Sequence, residues 1–194
     1  MGVSNVARAI AICGLFFAIG CSTFPQGPAL GKPTYGQPQA EATVAKLTAG
    51  MSGVAVRVRV SRSGRAGAFS WPDGTVELTS DLVERLDEDE LAAAIAHELG
   101  HIIEGRPRGA ASALSGRSGS PDDAEARADR FATRLLARAG YDPSAMSRTL
   151  TKVMNTPGMT PACRARLADR IALLTTALRR TPLRPLSPCG RGLG

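Results

Sequence analysis

The chain has 194 residues, room for one domain with appendages, and its 43% apolar but only 4% aromatic content means a core of Ala, Leu, Val and Ile. Its formal charge of +7 comes largely from arginines scattered among acids between Arg57 and Arg180. No aromatic platform is interleaved with them, which argues against a nucleic-acid groove and for a solvated surface, with weak attraction to anionic lipid as the sharper option.

In chain order, residues 1–20 read as a targeting segment. Arg8 gives a positive start, and Ala9 to Ala18 is apolar but too short to span a bilayer. The run Ala18-Ile19-Gly20-Cys21 resembles a bacterial lipoprotein signal. That resemblance implies cleavage before Cys21, lipid on its thiol and a membrane anchor without a membrane span. Ser22 in place of aspartate implies the outer rather than the inner membrane, on its periplasmic face. Residues 21–40, rich in Pro, Gly and Gln, read as a flexible tether. In such a compartment Cys163 and Cys189 can bridge or stand as two thiols.

A domain is expected over residues 41–180. Glu41 to Leu47 is a short helical candidate. Val54, Val56, Val58 and Val60 alternate with other residues, the period of a half-buried strand. Ala68 to Trp71 and Thr75 to Leu78 flank the turn residues Pro72-Asp73-Gly74 and read as a hairpin. Asp87 and Glu90 form a capping box for a helix striped by Leu91, Ile95, Leu99 and Ile102 and stopped at Gly105. Arg106 to Gly119 has no periodicity and reads as a mobile loop over a cleft. Ser120-Pro121 opens a helix that ends at Ala139, before Gly140; Asp142-Pro143 and Thr160-Pro161 open two more. Residues 181–194 read as a disordered tail.

The chemistry is concentrated in Ala96-His97-Glu98-Leu99-Gly100-His101-Ile102. Residues four apart on a helix lie about 40° apart around its axis, so His97 and His101 can reach one ion. Neutral imidazoles suit Zn2+, one per chain, and a catalytic zinc takes three protein ligands and keeps a position for water. Glu98 on the same helix is placed to take a proton from that water. The chain's only two histidines are both in this motif. On the following helix Glu125 and Asp129 share a face. Alone they would read as ordinary helix support beside Arg127. After the histidine motif, with alanines at 124, 126, 128 and 132 allowing close packing, Glu125 reads as the third ligand and Asp129 as the carboxylate that orients an imidazole.

These motifs, in this order, resemble the HtpX-like, CAAX-prenyl-protease-type family of zinc metallopeptidases. The likeness includes Ala68-Phe69-Ser70-Trp71-Pro72-Asp73-Gly74-Thr75-Val76, Leu82-Val83-Glu84-Arg85-Leu86, the acidic lead-in from Asp87, and Leu135-Leu136-Ala137-Arg138-Ala139-Gly140-Tyr141-Asp142-Pro143. It implies an α+β, zincin-like (gluzincin) domain: a small sheet packed on a mainly helical body, with an edge strand at Ala68, Phe69 and Ser70 that binds substrate backbone. It also implies an endopeptidase acting on unfolded or peptide substrates in the cell envelope. Two positions depart from the family: Gly67 stands where relatives commonly have Asn, and Thr160-Pro161 where many have His-Pro. With no third histidine, Arg166, which falls where the family's arginine does, and Tyr141 are the candidates to stabilise an oxyanion. Two alternatives remain: a latent or non-catalytic peptide-binding module on the same fold, and a structural zinc. The intact base Glu98 counts against the first, and a three-ligand set with a carboxylate counts against the second.

Overall fold

The computed structural model describes residues 36–62, 66–71, 73–105 and 121–180. The expected signal, Cys21, most of the tether, Pro72, the loop after residue 105, the tail and Cys189 lie outside the described residues.

The first helix, α1 (Gln37–Thr48), is longer than the expected segment and begins inside the stretch read as tether. The reason is local. Pro38 sits in the first turn, where a missing N–H costs nothing, and Gly36 takes the left-handed conformation that admits the chain to the helix. A Cβ at Gly36 would stand 2.5 Å from Val83 Cγ1, so this entry has no room for a side chain.

Three short strands follow, β1 (Arg57–Ser61), β2 (Ala68–Ser70) and β3 (Thr75–Thr79), in the order β1-β3-β2. β2 and β3 form the expected antiparallel hairpin. Its turn is fixed by Asp73, whose Oδ1 accepts from the Thr75 amide at 2.9 Å, and by Gly74 at φ 86°. β1 pairs parallel to β3, a placement that strand alternation alone does not reveal. The outer edge of β1 is occupied by one side chain: the Gln37 amide donates to Val58 O at 3.0 Å and accepts from Val60 N at 2.7 Å.

The body is helical: α2 (Ser80–Val83), α3 (Glu88–Gly105), α4 (Pro121–Ala139), α5 (Ala145–Met154) and α6 (Pro161–Arg180). Helix α3 begins at the expected capping box. Asp87 Oδ1 accepts from the Glu90 amide at 2.8 Å and Glu90 Oε2 from the Asp87 amide at 2.9 Å. Glu90 is buried and neutralised by Lys152 of α5, at 2.5 Å. Beyond it α3 differs from the expected striped helix, because every residue from Glu90 to Gly100 is buried. Ala92, Ala93, Ala94 and Ala96 are small enough for neighbours to close in on all sides. α1, β2, α4 and α5 pack around it. Leu91, Ile95 and Leu99 of α3 meet Leu47, Leu78, Leu136, Met146 and Leu150 in one core. Each such side chain contributes on the order of 1.5–3 kcal/mol by leaving water. The architecture is α+β, with a small sheet on a mostly helical body.

Candidate active site

The two histidines lie one turn apart on α3, with ring centroids 4.8 Å apart and planes at 81°. Their Nε2 atoms converge to 3.1 Å. Helix α4 brings Glu125 to the same point, with Oε2 3.3 Å from His97 Nε2 and Oε1 3.3 Å from His101 Nε2. Three residues from two helices thus aim donor atoms at one position.

The close approach of α4 depends on Gly100. A Cβ there would lie 2.9 Å from the Ala128 Cα and 3.2 Å from its Cβ. Ala128 is one residue before Asp129 and three after Glu125, so this backbone contact sets the height of both carboxylates over α3. The alanines of α4 were legible as close-packing residues; the glycine opposite them was the stronger signal.

Asp129 lies behind the cluster. Its Oδ1 is 2.9 Å from His97 Nδ1, which fixes the ring so that Nε2 faces inward. Its carboxylate is in turn held in a fork by Arg170 of α6, Nε to Oδ2 at 2.7 Å and Nη2 to Oδ1 at 2.6 Å. Arg170 Nη1 also lies 3.0 Å from Glu125 Oε2. That contact is an ion pair rather than an aligned hydrogen bond, since Oε2 is buried without a hydrogen-bond partner. Arg170 is therefore a site residue that the sequence reading passed over.

Of the expected oxyanion candidates, Tyr141 is placed elsewhere. Arg166 is exposed on α6, one turn before the arginine that enters the cluster. Tyr141 is buried at the far end of α4 with Lys46 Nζ 3.6 Å from its ring centroid. Fourteen residues of helix rise, roughly 21 Å, separate Glu125 from the end of α4 at Ala139, just beyond which Tyr141 lies. Cys163 is buried on α6 and disulfide-bonded.

The electrostatics of the cluster favour a cation. Burial works against a charged His97, but the adjacent Asp129 and Glu125 outweigh it and raise its pKa to about 9. Burial likewise works against the Glu125 charge, and the two imidazoles and Arg170 overcome it, holding that carboxyl far below the usual range. A proton is thus held where a metal ion would compete for it. The geometry fits such an ion. Around a tetrahedral zinc with donors at about 2.0–2.1 Å, neighbouring donors stand about 3.3–3.4 Å apart. The two Nε2 atoms here are 3.1 Å apart, and each lies 3.3 Å from one of the two Glu125 oxygens. Glu125 Oε2, buried without an aligned hydrogen bond and held by Arg170 in an ion pair, remains an acceptor that faces the two Nε2 atoms.

Glu98 is fully buried beside the cluster, and neither carboxylate oxygen has a well-formed hydrogen bond. Burial is the main reason its pKa rises to about 8; His97 and the nearby Ser70 pull the other way without reversing it. Ser70 belongs to β2, which packs on α3. The register pairs Phe69 with Glu77, and the flanking bonds run from Trp71 N to Thr75 O at 2.8 Å and from Thr79 N to Gly67 O at 2.9 Å. In an antiparallel ladder bonded residues alternate, so the N–H and C=O groups of Ala68 and Ser70 point to the outer side of β2. Among the described residues no strand pairs with that side.

A model of peptidase family M48 matches residues 36–118, the stretch that carries β2 and the His97–His101 helix. Over that stretch the chain resembles peptidase family M48. It is 34% identical over 122 residues to Protease HtpX of Acinetobacter baumannii (strain AYE), 54% of this chain and 40% of that protein. Protease HtpX of Acinetobacter baylyi is 31% identical over the same length. A Protease HtpX homolog of Helicobacter pylori (strain J99) is 56% identical over 39 residues, 19% of this chain and 13% of that protein. The chain thus spans about 40% of the length of its Acinetobacter relatives. The M48 match ends before Glu125. The case for Glu125, Asp129 and Arg170 therefore rests on geometry.

Proposed function

We propose that this M48-like domain is a zinc metalloendopeptidase of the gluzincin type that cleaves extended or unfolded polypeptides. The observation that carries the reading is the convergence of His97, His101 and Glu125 beside a buried carboxylate and an unpaired strand edge. His97, His101 and Glu125 would hold the ion, and Asp129, braced by Arg170, would keep the His97 ring turned toward it. When bound, zinc supplies Lewis acidity, polarising the scissile carbonyl and making a water molecule acidic near neutral pH.

The rest falls to the chain's own groups. The N–H and C=O groups of Ala68 and Ser70 accept a substrate as a further strand, which binds main chain without regard to side chains and lays the peptide across α3. Glu98 takes the proton of the attacking water and passes it to the leaving amine. Its burial and lack of fixed hydrogen bonds leave both oxygens available for that transfer. The family relatives are named proteases, which supports the same reaction here. The lipoprotein-like run ending at Cys21 supports a site of action in the bacterial envelope, tethered to a membrane. Pairing of the disulfide-bonded Cys163 with Cys189 would tie the tail to α6.

The complete burial of Glu98 favours a second reading, a latent module that binds peptide and does not turn it over. One experiment separates the two. With zinc, the purified chain should degrade a disordered protein such as casein, a chelator should stop it, and Glu98→Gln should slow it roughly 100- to 10,000-fold. Equal rates for wild type and Glu98→Gln would remove Glu98 as the base, and peptide binding without cleavage in any metal would establish the latent module.

A further inference from the structure

The outer face of β2 carries two aromatic rings in a chain that has few. Phe69 and Trp71 alternate with Ala68 and Ser70 and so share the sheet face turned away from α3. Trp71 is the chain's single tryptophan, and it is 36% exposed. Its indole is held in place: Nε1 donates to Glu77 Oε2 at 3.1 Å, and Arg59 Nη2 donates to the same oxygen at 2.5 Å. This chain of contacts crosses from β2 through β3 to β1, and it neutralises the carboxylate that the indole touches. Phe69 is placed by Gly67. A Cβ at residue 67 would meet the Phe69 ring at 2.9 Å from Cζ and 3.1 Å from Cε2, so the ring lies back over a position without a side chain. Gly67, a departure from the family's usual residue, thereby makes room for the ring.

We propose that Trp71, with Phe69 beside it, is a specificity platform that selects extended peptides bearing an aromatic or large apolar residue. The inference rests on the strand-addition reading above. A peptide paired to Ala68 and Ser70 alternates its side chains between the α3 face and the outer face. Those on the outer face stand directly or diagonally across from Phe69 and Trp71, where aromatic cross-strand pairs are favourable. A rigid indole loses little conformational freedom on contact, and its neutralised neighbour does not select for charge. Substrate choice then comes from the outer face, and cleavage from the inner one.

The test uses the full chain carrying Glu98→Gln, so that peptides bind without turnover. Extended peptides identical except for Phe, Ala or Asp at one scanned position are titrated, with peptide anisotropy and Trp71 emission read together. At the outward position the Phe peptide should bind about 3- to 10-fold tighter than the Ala peptide. Trp71 emission should shift to the blue. Trp71→Ala should reduce the ratio below about twofold, and Trp71→Phe should keep most of it. Binding seen by anisotropy with no change in Trp71 emission, or a preference that survives Trp71→Ala, overturns the proposal; the emission readout applies even if a variant fails to fold. Wild-type cleavage without Trp71 dependence sinks this inference alone, whereas Trp71-dependent binding without cleavage sinks the protease reading alone. No peptide binding at all sinks both.

Discussion

At Gly100 two opposing terms can be compared. Alanine in place of an interior helical glycine gains about 1 kcal/mol of helix propensity. Against that, the added methyl would press on the Ala128 backbone at 2.9 Å, where nothing flexible can give way, and such overpacking costs roughly 1–3 kcal/mol. A larger branched group decides the sign. Gly100→Val should lower stability by about 2 kcal/mol or more in chemical denaturation and should weaken zinc binding by pushing Glu125 off its position. Undiminished stability with full zinc affinity would mean that α4 is not positioned by this contact. The same scale shows what the sequence disclosed. The motif at His97, Glu98 and His101, and the pair at Glu125 and Asp129, are legible because helical spacing fixes which side chains share a face. Arg170 was legible in principle. Cys163, Leu167 and Leu174 mark the buried stripe of α6, and a residue seven after Cys163 falls within it, whereas Arg166 falls at its flank. Family spacing pointed to Arg166, and helix periodicity pointed to Arg170.

Among elements, the helix starts were readable because capping is local chemistry: Asp87 and Glu90 close their box, and Thr160 Oγ1 accepts from the Cys163 amide at 3.3 Å. What lies opposite a cap is not local. Lys152, which neutralises Glu90, comes from 62 residues further along. Helix α5 also starts two residues later than Asp142-Pro143 suggests. Asp142 closes a turn instead, accepting from the Ser144 amide at 2.9 Å, from its hydroxyl at 2.6 Å and from Arg148 at 2.5 Å. Partial burial works against the Asp142 charge, but Ser144 and Arg148 outweigh it and hold its pKa below the ordinary 3.8. A carboxyl whose folded pKa is depressed adds stability above its unfolded pKa and loses it as pH falls through the folded value. Asp142→Asn should therefore lower the Tm at pH 7, and the gap from wild type should close as pH falls from about 4 toward about 2. A constant gap across that range would assign the effect to packing rather than charge.

For the molecule as a whole, the sheet was the least legible part. The hairpin of β2 and β3 is local and was expected, but the parallel pairing of β1 with β3 depends on the Gln37 amide and the core beneath, which no strand period records. That arrangement makes β2 an edge and sets it over α3, which is buried on every side from Glu90 to Gly100. The same burial explains why α3 looked like a striped surface helix: its small alanines are silent in a hydrophobic pattern but decisive in packing. Sheet, histidine helix and the helix of Glu125 thus meet at one point, with α6 bracing Asp129 through Arg170. Because such a site exists only in the folded chain, ligand binding and folding are linked.

The measurement that addresses this centre most directly is zinc titration of the chelator-stripped chain, by competition with a chromophoric chelator, beside Glu125→Ala. The geometry predicts one tight equivalent for the wild type and affinity weakened by about 100-fold or more when a direct ligand is removed, since loss of an outer-shell partner alone costs 10- to 100-fold. Equal zinc affinity in the two proteins would contradict a centre built from two imidazoles of α3 and the carboxylate of α4.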